Sequence, residues 1–404
     1  MLTFNYEAKD AKTGQKVKAQ VQADTEQAAA AAITAEGLTV LSLKPESKRS
    51  LFPNRRIKTK DKVLFSRQLS TLINAGLPLV QSLRSVAKQT TNKPLKMVIN
   101  QIVSDVEGGV AFNMALQKHP RVFNRVFVSL VAASETSGTL DAGLERLANQ
   151  QEKDADISSK VRGAMVYPFI VFLVMLLVAG FMVIKVLPQV QSIYAGIPGT
   201  HLPFITLALL AVSHFVTKYY YIVLIMLAIG GFLGSRWVRT LGGRTVVDKI
   251  KMRAWPIGPL FMKLYMARFA RTGTTLIASG VPLIQMLNIT AESIDNVHIG
   301  NTLIAGIEKV KSGKPLSDTL EGSKNFLELV PNMLRIGEQS GAMEVMMAKI
   351  ADYYEKEVDN EVKAISTIIE PVMMIVMGVM AIIIVAAILL PIYGLVNQSG
   401  FNGS

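Results

Sequence analysis

The amino-acid sequence predicts a mainly α-helical integral membrane protein. It would have two homologous cytoplasmic helical-bundle domains, three transmembrane helices and a small N-terminal β-β-α-β module. Three observations predict this fold class: a long segment occurs twice, three apolar runs follow or separate its copies, and basic residues avoid particular segments. The 404-residue chain contains no cysteine, which excludes disulfides, thiolate metal sites and cysteine nucleophiles.

Residues 1–44 predict a separate small α+β module. Alternating apolar residues begin at Phe4 and resume at Val17, as expected for a β-hairpin. Asp24 and Gln27 then form a capping-box pattern before an Ala-rich helix over 25–36, and the sequence LTVLSL predicts a third strand. A basic linker is expected over 45–63. It is interpreted either as a solvated tether or as a contact with lipid or a partner.

An internal duplication organises the rest of the chain. Residues 65–87 recur as 269–291, with 11 of 23 positions identical. The match continues downstream in Glu135-Thr136-Ser137-Gly138 and Glu338-Gln339-Ser340-Gly341, and in Pro168, Pro188, Pro371 and Pro391. A unit of this length is a whole domain with its own core. We therefore expect one cytoplasmic repeat domain over 64–167 and a second over 237–369.

Both repeats are expected to be helical. Phe65, Leu69, Leu72 and Ile73 have the spacing of one helix face. Gly273 stands where the first repeat has Leu69, which predicts that a neighbour packs closely there.

Each of these helices should end at a Gly-x-Pro turn, with the glycine in a left-handed cap and the proline starting the next helix. The expected turn residues are Gly76 and Pro78, and Gly280 and Pro282.

Three apolar segments are long enough to cross a bilayer. They lie at 168–187, 219–236 and 370–391. The dipeptide Glu370-Pro371 opens the third of them. The connection 188–218 and the tail 392–404 should be extracytoplasmic, with the apolar part before Lys218 an amphipathic lead-in on the membrane surface. Gly230 and Gly234 form a small-xxx-small pair that would allow close helix packing or face lipid.

Charge assigns the sides of the membrane. Lys185 and Lys218 are the only basic residues outside 1–167 and 236–369. By the positive-inside rule, the N-terminus and both repeats are cytoplasmic. The basic excess is explained by this bias alone, or by an acidic partner or anionic lipid.

The Glu-x-Ser-Gly turns support two hypotheses. In a structural role, Ser137 or Thr139 caps the helix beginning near Leu140, Gly138 or Gly341 eases the turn, and the glutamate lies near a positive helix end. In a functional role, Glu135 and Glu338 face a partner or act as weak candidate ligands of a hard cation.

Catalytic motifs are absent from the sequence. Gly313-Lys314 lacks the upstream glycine and the following Ser or Thr of a phosphate loop, and the four histidines form no HExxH pattern. We expect no enzymatic activity, no cofactor and no nucleic-acid partner. A permease would show ionisable residues in mid-membrane, which these runs lack.

The tandem Gly-x-Pro hairpins, the ETSG and EQSG turns, Tyr167-Pro168, Glu370-Pro371 and the closing LLPIY resemble the type II secretion system F family. This family comprises the inner-membrane platform proteins of type IV pili and type II secretion. The resemblance covers nearly the whole chain, and residues 1–44 are similar to the module that precedes the first repeat in pilus platform members.

The resemblance implies a bacterial inner-membrane, multi-pass scaffold that forms homo-oligomers. Members engage a hexameric cytoplasmic assembly ATPase, pilins or pseudopilins, and other inner-membrane assembly proteins. Glu135, Glu338 and Glu370 are expected to fix domain or subunit interfaces. The alternatives are a type II secretion platform and a membrane signalling adaptor.

Overall fold

The computed structural model describes residues 2–10, 16–23, 30, 33–34, 38–45, 56–186, 188–189, 192, 204–255 and 257–401. The chain divides into an N-terminal unit that ends at Arg56 and a second unit that begins at Ile57.

The N-terminal unit contains a three-stranded sheet. Its strands are β1 (Leu2–Asp10), β2 (Lys16–Ala23) and β3 (Leu38–Pro45), in the spatial order β2-β1-β3 with both pairings antiparallel. In the register of β1 and β2, Phe4 pairs with Val21 and Ala8 with Val17. Of the helix expected over 25–36, the structure describes residues 30, 33 and 34, which are helical. Ile33 is buried, as is Ala8 of β1. Most of the predicted linker lies outside the described residues.

The described part of the first repeat is helical. Its helices are α1 (Thr59–Asn74), α2 (Leu79–Gln89), α3 (Lys93–Glu107), α4 (Phe112–Gln117), α5 (Arg125–Ser137) and α6 (Leu140–Ala164). After one residue α6 continues into α7 (Val166–Phe181), which ends in a π-helical turn, Met182–Val186.

A long helix, α8 (Phe204–Trp237), and a shorter one, α9 (Leu241–Arg253), lead to the second repeat. The helices of that repeat are α10 (Gly258–Ala278), α11 (Leu283–Ser293), α12 (Val297–Lys311), α13 (Leu316–Leu320), α14 (Leu329–Ser340) and α15 (Met343–Phe401). Thus α10 to α14 correspond to α1 to α5, and α15 corresponds to α6 and α7 together. The expectation of two helical repeats is confirmed.

The repeats bury equivalent apolar positions in one continuous core. Phe65 packs against Phe123 with ring centroids 5.5 Å apart, and the equivalent Phe269 packs against Phe326 at 5.4 Å. A Cβ added at Gly273 would lie 2.4 Å from Cε of Met347, so the close neighbour predicted at this glycine is present.

The contact between the last two core helices of each repeat joins a glycine to a larger side chain, and the glycine lies on a different helix in each repeat. In the first repeat, a Cβ added at Gly143 of α6 would lie 1.8 Å from Oγ of the buried Ser134 on α5. In the second repeat a glycine, Gly337, replaces the serine on α14, and Met346 replaces the glycine on α15. The larger side chain therefore comes from opposite sides of this contact in the two repeats.

Two helices among the described residues are long and apolar enough to cross a membrane. They span Leu140–Val186 and Met343–Leu389, and only 6% of the most apolar window of each is buried, unlike the core helix of a soluble protein. They contain residues 168–186 of the first predicted span and residues 370–389 of the third. The stretch Ile225–Trp237 of α8 is a shorter apolar helix.

The apolar helices contact one another. Residues 170–179 of α7 and 377–384 of α15 line a shared apolar groove. The first half of α8 packs against the far end of α15, where Thr206 Oγ1 donates to the carbonyl of Ala387 over 3.1 Å and Leu210 is buried beside Ala387. A kink at Tyr219 separates this half of α8 from the segment predicted to span.

Candidate interaction site

The Gly-x-Pro turns have the predicted geometry. Gly76 and Gly280 have φ of +83° and +79°, in the left-handed region that favours glycine. The N–H of Leu77 donates to the carbonyl of Leu72 over 3.1 Å, which completes a Schellman-type end to α1. Pro78 and Pro282 then stand immediately before α2 and α11.

Glu135 caps a short helix in its own repeat. Its half-buried carboxylate accepts hydrogen bonds from the N–H groups of Phe112 and Asn113, over 2.8 and 3.0 Å. These two residues form the first turn of α4, whose N–H groups have no partner within the helix. The glutamate on α5 therefore fixes the position of α4 by satisfying those donors.

Glu338 repeats this arrangement in the second copy. It accepts from the N–H of Leu316 over 2.5 Å and from the N–H and the hydroxyl of Ser317 over 3.2 and 2.5 Å. The equivalence of the two contacts explains why the glutamate occurs in both turns. Its role in the fold is visible within one chain.

The structure corrects part of the structural hypothesis for these turns. Thr139 stands at the N-cap of α6, but its side chain accepts no hydrogen bond from the helix. The Ser137 hydroxyl instead contacts the carbonyl of Ala133 and the hydroxyl of Thr139, so neither residue caps α6 through its side chain. The physical reason is that Gly138, with φ of +71°, ends α5 in a left-handed cap, and Ser137 belongs to that preceding helix. The positive helix end near Glu135 is that of α4.

The part of the chain that the structure describes contains no cluster of side chains that would coordinate the hypothesised cation. No group of three or more His, Asp or Glu side chains there is arranged to hold a metal ion. Both carboxylate oxygens of Glu135 and of Glu338 already accept hydrogen bonds from protein donors.

The structure adds a repeated ion pair that sequence reasoning missed. Arg67 of α1 binds Glu152 of α6 through two contacts of 2.6 and 2.5 Å. In the second repeat Arg271 binds Glu355 over 2.7 Å and Asp352 over 2.6 Å. The signal was available, because the arginine and the glutamate are identical in the aligned copies. These pairs fasten the first helix of each repeat to the helix that continues toward the membrane.

The two repeats meet along a seam formed mainly by α6, α10 and α15. A buried hydrogen bond joins Gln150 to Thr272 over 3.2 Å, and Arg146 donates to the carbonyl of Ala278 at the end of α10 over 2.6 Å. Further along α6, Lys160 binds Asp359 over 2.9 Å. The repeats therefore pack through polar contacts as well as through the shared core.

Asp154 lies at this seam. Burial raises the pKa of its carboxyl above the ordinary value, Arg268 partly offsets this effect, and the neighbouring Glu355 adds to the increase. A carboxyl in such surroundings is more costly to keep charged than one on an open surface.

The remaining predicted residues lie on exposed helix surfaces. Glu370 is exposed, and Pro371 lies inside the uninterrupted helix α15. A Cβ added at Gly230 or Gly234 would contact nothing within 4 Å, so this pair on α8 packs against no other described segment of the chain. Their roles as interface or packing residues stay predictions.

A duplicated helical domain, each copy continuing into a long apolar helix, defines this chain as a membrane-anchored tandem-repeat scaffold. The family model described as type II secretion system (T2SS), protein F, matches residues 65–188 and 269–391, and the model of that family's N-terminal domain matches 1–44. The chain therefore belongs to the type II secretion system protein F family, and the resemblance seen in the sequence is confirmed.

Named relatives span nearly the whole chain. It is 38% identical to the type IV pilus assembly protein PilC of Thermus thermophilus, over 98% of this chain and 99% of that protein. It is 36% identical to the protein of the same name from Myxococcus xanthus, over 97% and 94%. It is 32% identical to the type II secretion system protein F of Pseudomonas aeruginosa, over 98% and 99%. The family is one of platform proteins of pilus and secretion machinery, and it is not a known enzyme family.

Proposed function

We propose that this protein is the inner-membrane platform of a type IV pilus assembly machine. In this role it couples a hexameric cytoplasmic assembly ATPase to the insertion or removal of pilin subunits, together with other inner-membrane assembly proteins and further copies of the chain. The observation that carries the proposal is the continuity of α15. This helix runs without a break from the core of the second repeat through the apolar stretch, so a movement of the cytoplasmic repeat reaches the membrane.

The relatives favour the pilus over the secretion system. The two highest identities quoted above, 38% and 36%, are to pilus assembly proteins, against 32% for a secretion protein F. The secretion platform, acting on pseudopilins, remains the second candidate because that relative also matches over nearly its full length.

We infer a three-pass arrangement, and the distribution of Lys and Arg favours a cytoplasmic N-terminus. The side chains of 225–237 in α8 are exposed, as expected for a lipid-facing helix, and α7 and α15 have the apolar length that a bilayer requires. With α7 and α8 both crossing, the number of crossings between the repeats would be even, and both repeats would lie on the same side.

The test uses the full-length chain in lipid nanodiscs and the assembly ATPase of the same cells. We expect binding that changes between ADP and a non-hydrolysable ATP analogue, and loss of surface pili when the gene is deleted. A deletion strain that keeps its pili but loses secreted proteins would favour the secretion platform. Absence of ATPase binding in every nucleotide state would contradict the coupling role and favour a signalling adaptor.

A further inference from the structure

The two repeats of one chain contact each other through different faces. Helices α5 and α6 of the first repeat pack against α10 and α11 of the second, and α6 also packs along its own equivalent, α15. The equivalent faces are α14–α15 of the second repeat and α1–α2 of the first, and the described residues show no comparable contact between these two. The contact is therefore heterologous, and a heterologous contact leaves one copy of each face uncovered at the ends. We call these the α14–α15 face and the α1–α2 face.

The charges at equivalent positions are complementary. Within the chain, Arg125 at the start of α5 forms an ion pair with Glu292 at the end of α11. The residue equivalent to Arg125 is Glu328, and the residue equivalent to Glu292 is Lys88. Both are exposed. Both signs are reversed, so a contact of the same geometry would again pair opposite charges.

A second contact keeps its chemistry. Arg146 donates to the carbonyl of Ala278, at the negative end of α10. The exposed Lys349 is equivalent to Arg146, and Asn74, the last residue of α1, is equivalent to Ala278. A cation would therefore again meet the carbonyl end of a helix.

The α14–α15 face also exposes large side chains where the first repeat has covered ones. Tyr353 is 49% exposed, whereas the equivalent Gln150 is buried against Thr272. The residue equivalent to Thr272 is Gln68, whose amide can hydrogen-bond a tyrosine hydroxyl. Nearer the membrane the correspondence ends, because the positions of Ser158 and Arg268 hold Glu361 and Leu64. The α14–α15 face and the α1–α2 face are therefore complementary at their ends distant from the apolar helices.

The two repeats are arranged so that their apolar helices, α7 and α15, lie at the same level along the membrane normal. Val174 and Val178 of α7 line the groove together with Met377 and Ala381 of α15, which are their equivalents in the second repeat. The second repeat is therefore displaced little from the first along the direction of these helices. Applying the same relation again would leave the next copy's apolar helices level with these, as a shared membrane requires.

We propose that a second copy of this chain docks its α1–α2 face on the α14–α15 face, in the manner in which the two repeats pack within one chain. Glu328 of one copy then pairs with Lys88 of the other, and Lys349 binds the end of α1. This inference rests on the part of the proposed function that places several copies in one platform.

Disulfide cross-linking tests the contact directly, because the chain has no native cysteine. Full-length Glu328→Cys and Lys88→Cys chains are mixed in detergent and oxidised, and a mixture of Glu308→Cys with Lys88→Cys is the matched control. Glu308 is exposed on α12, away from both faces. We expect a cross-linked dimer in the first mixture only. Equal cross-linking in both mixtures would overturn the proposal.

Charge reversal supplies the second measurement. Glu328→Lys or Lys88→Glu alone should weaken self-association about tenfold, and the double variant should restore it, since the pair is re-formed with exchanged signs. Sedimentation of the full chain gives the mass of the oligomer, with Glu308→Lys as control. Unchanged mass in both single variants, or a double variant as weak as the singles, would contradict the pairing. The assays contain no ATPase, so a failure of the coupling role leaves their outcome unaffected.

Discussion

Glu135 and Glu338 show how one residue type can occur twice in a chain for a reason internal to the fold. Each carboxylate holds the first turn of a short helix through backbone N–H groups. Such helices are too short to be stable without tertiary contacts. The sequence indicated the importance of both glutamates, but the helix that they cap lies more than 20 residues upstream. Only the folded chain brings the two together.

Replacing Glu135 with alanine should lower the free energy of unfolding by about 0.5–2 kcal/mol, the usual cost of losing a helix cap. Glu135→Gln keeps one acceptor oxygen and should lose less. Thermal unfolding of the purified chain measures both, with Thr136→Ala, an exposed neighbour, as control. If Glu135→Ala leaves the stability unchanged but abolishes ATPase binding, the carboxylate serves a partner instead of the fold.

Gly143 and Ser134 form a pair that can be tested by exchange. Gly143→Ala alone places a methyl group within the Ser134 side chain and should destabilise the chain by about 1–3 kcal/mol, as overpacking does. Adding Ser134→Gly removes that overlap, because the nearest remaining atom is the Ser134 Cα at 3.9 Å. The double variant should recover most of the loss in a double-mutant cycle of unfolding free energies. Strictly additive effects would show that the helices move apart instead.

At the scale of elements, the seam between α6, α10 and α15 contains a carboxyl whose charge is costly. Because the pKa of Asp154 is raised in the folded state, its contribution to stability is fully present below the unfolded-state value of about 3.8. That contribution is lost as the pH rises through the higher folded-state value. Stability at the seam should therefore increase on acidification through that interval.

Asp154→Asn should remove this pH dependence and raise the melting temperature at neutral pH relative to the unmodified chain. Melting temperatures measured across the acidic range test both expectations. Asp156→Asn, at an exposed position of the same helix, is the control. A variant that melts lower than the unmodified chain at neutral pH would show that the attraction of Arg268 outweighs the burial.

Much of the element scale was predictable from the sequence. The helical spacing of Phe65, Leu69 and Leu72 and the glycine turns depend on local periodicity and on backbone conformation, so they identify helices and their ends directly. The capping of α6 was predicted wrongly, because Ser and Thr beside a turn fit either the end of one helix or the start of the next. The seam could not be predicted, since its partners Gln150 and Thr272 lie in different repeats and carry no local signal.

At the scale of the whole molecule, the number of membrane crossings can be measured with single cysteines. We expect a membrane-impermeant maleimide, applied from outside to spheroplasts, to label Ser192→Cys and Asn397→Cys. Lys96→Cys and Lys314→Cys should be labelled only after lysis. This pattern follows from spans at 168–187, 219–236 and 370–391. Labelling of Lys314→Cys in intact spheroplasts would show that α8 does not cross and would place the second repeat outside.

The first repeat pairs Ser134 with Gly143, whereas the second pairs Gly337 with Met346. This difference restricts recombination between the two halves of the gene. A crossover between α5 and α6 would join Ser134 to a methionine, or Gly337 to a glycine, giving a clash in one hybrid and a void in the other. Chimaeric repeats should therefore be built with the α5–α6 or α14–α15 hairpin moved as a single block. The same rule predicts that gene conversion between the halves is tolerated only where it copies both partners of the pair.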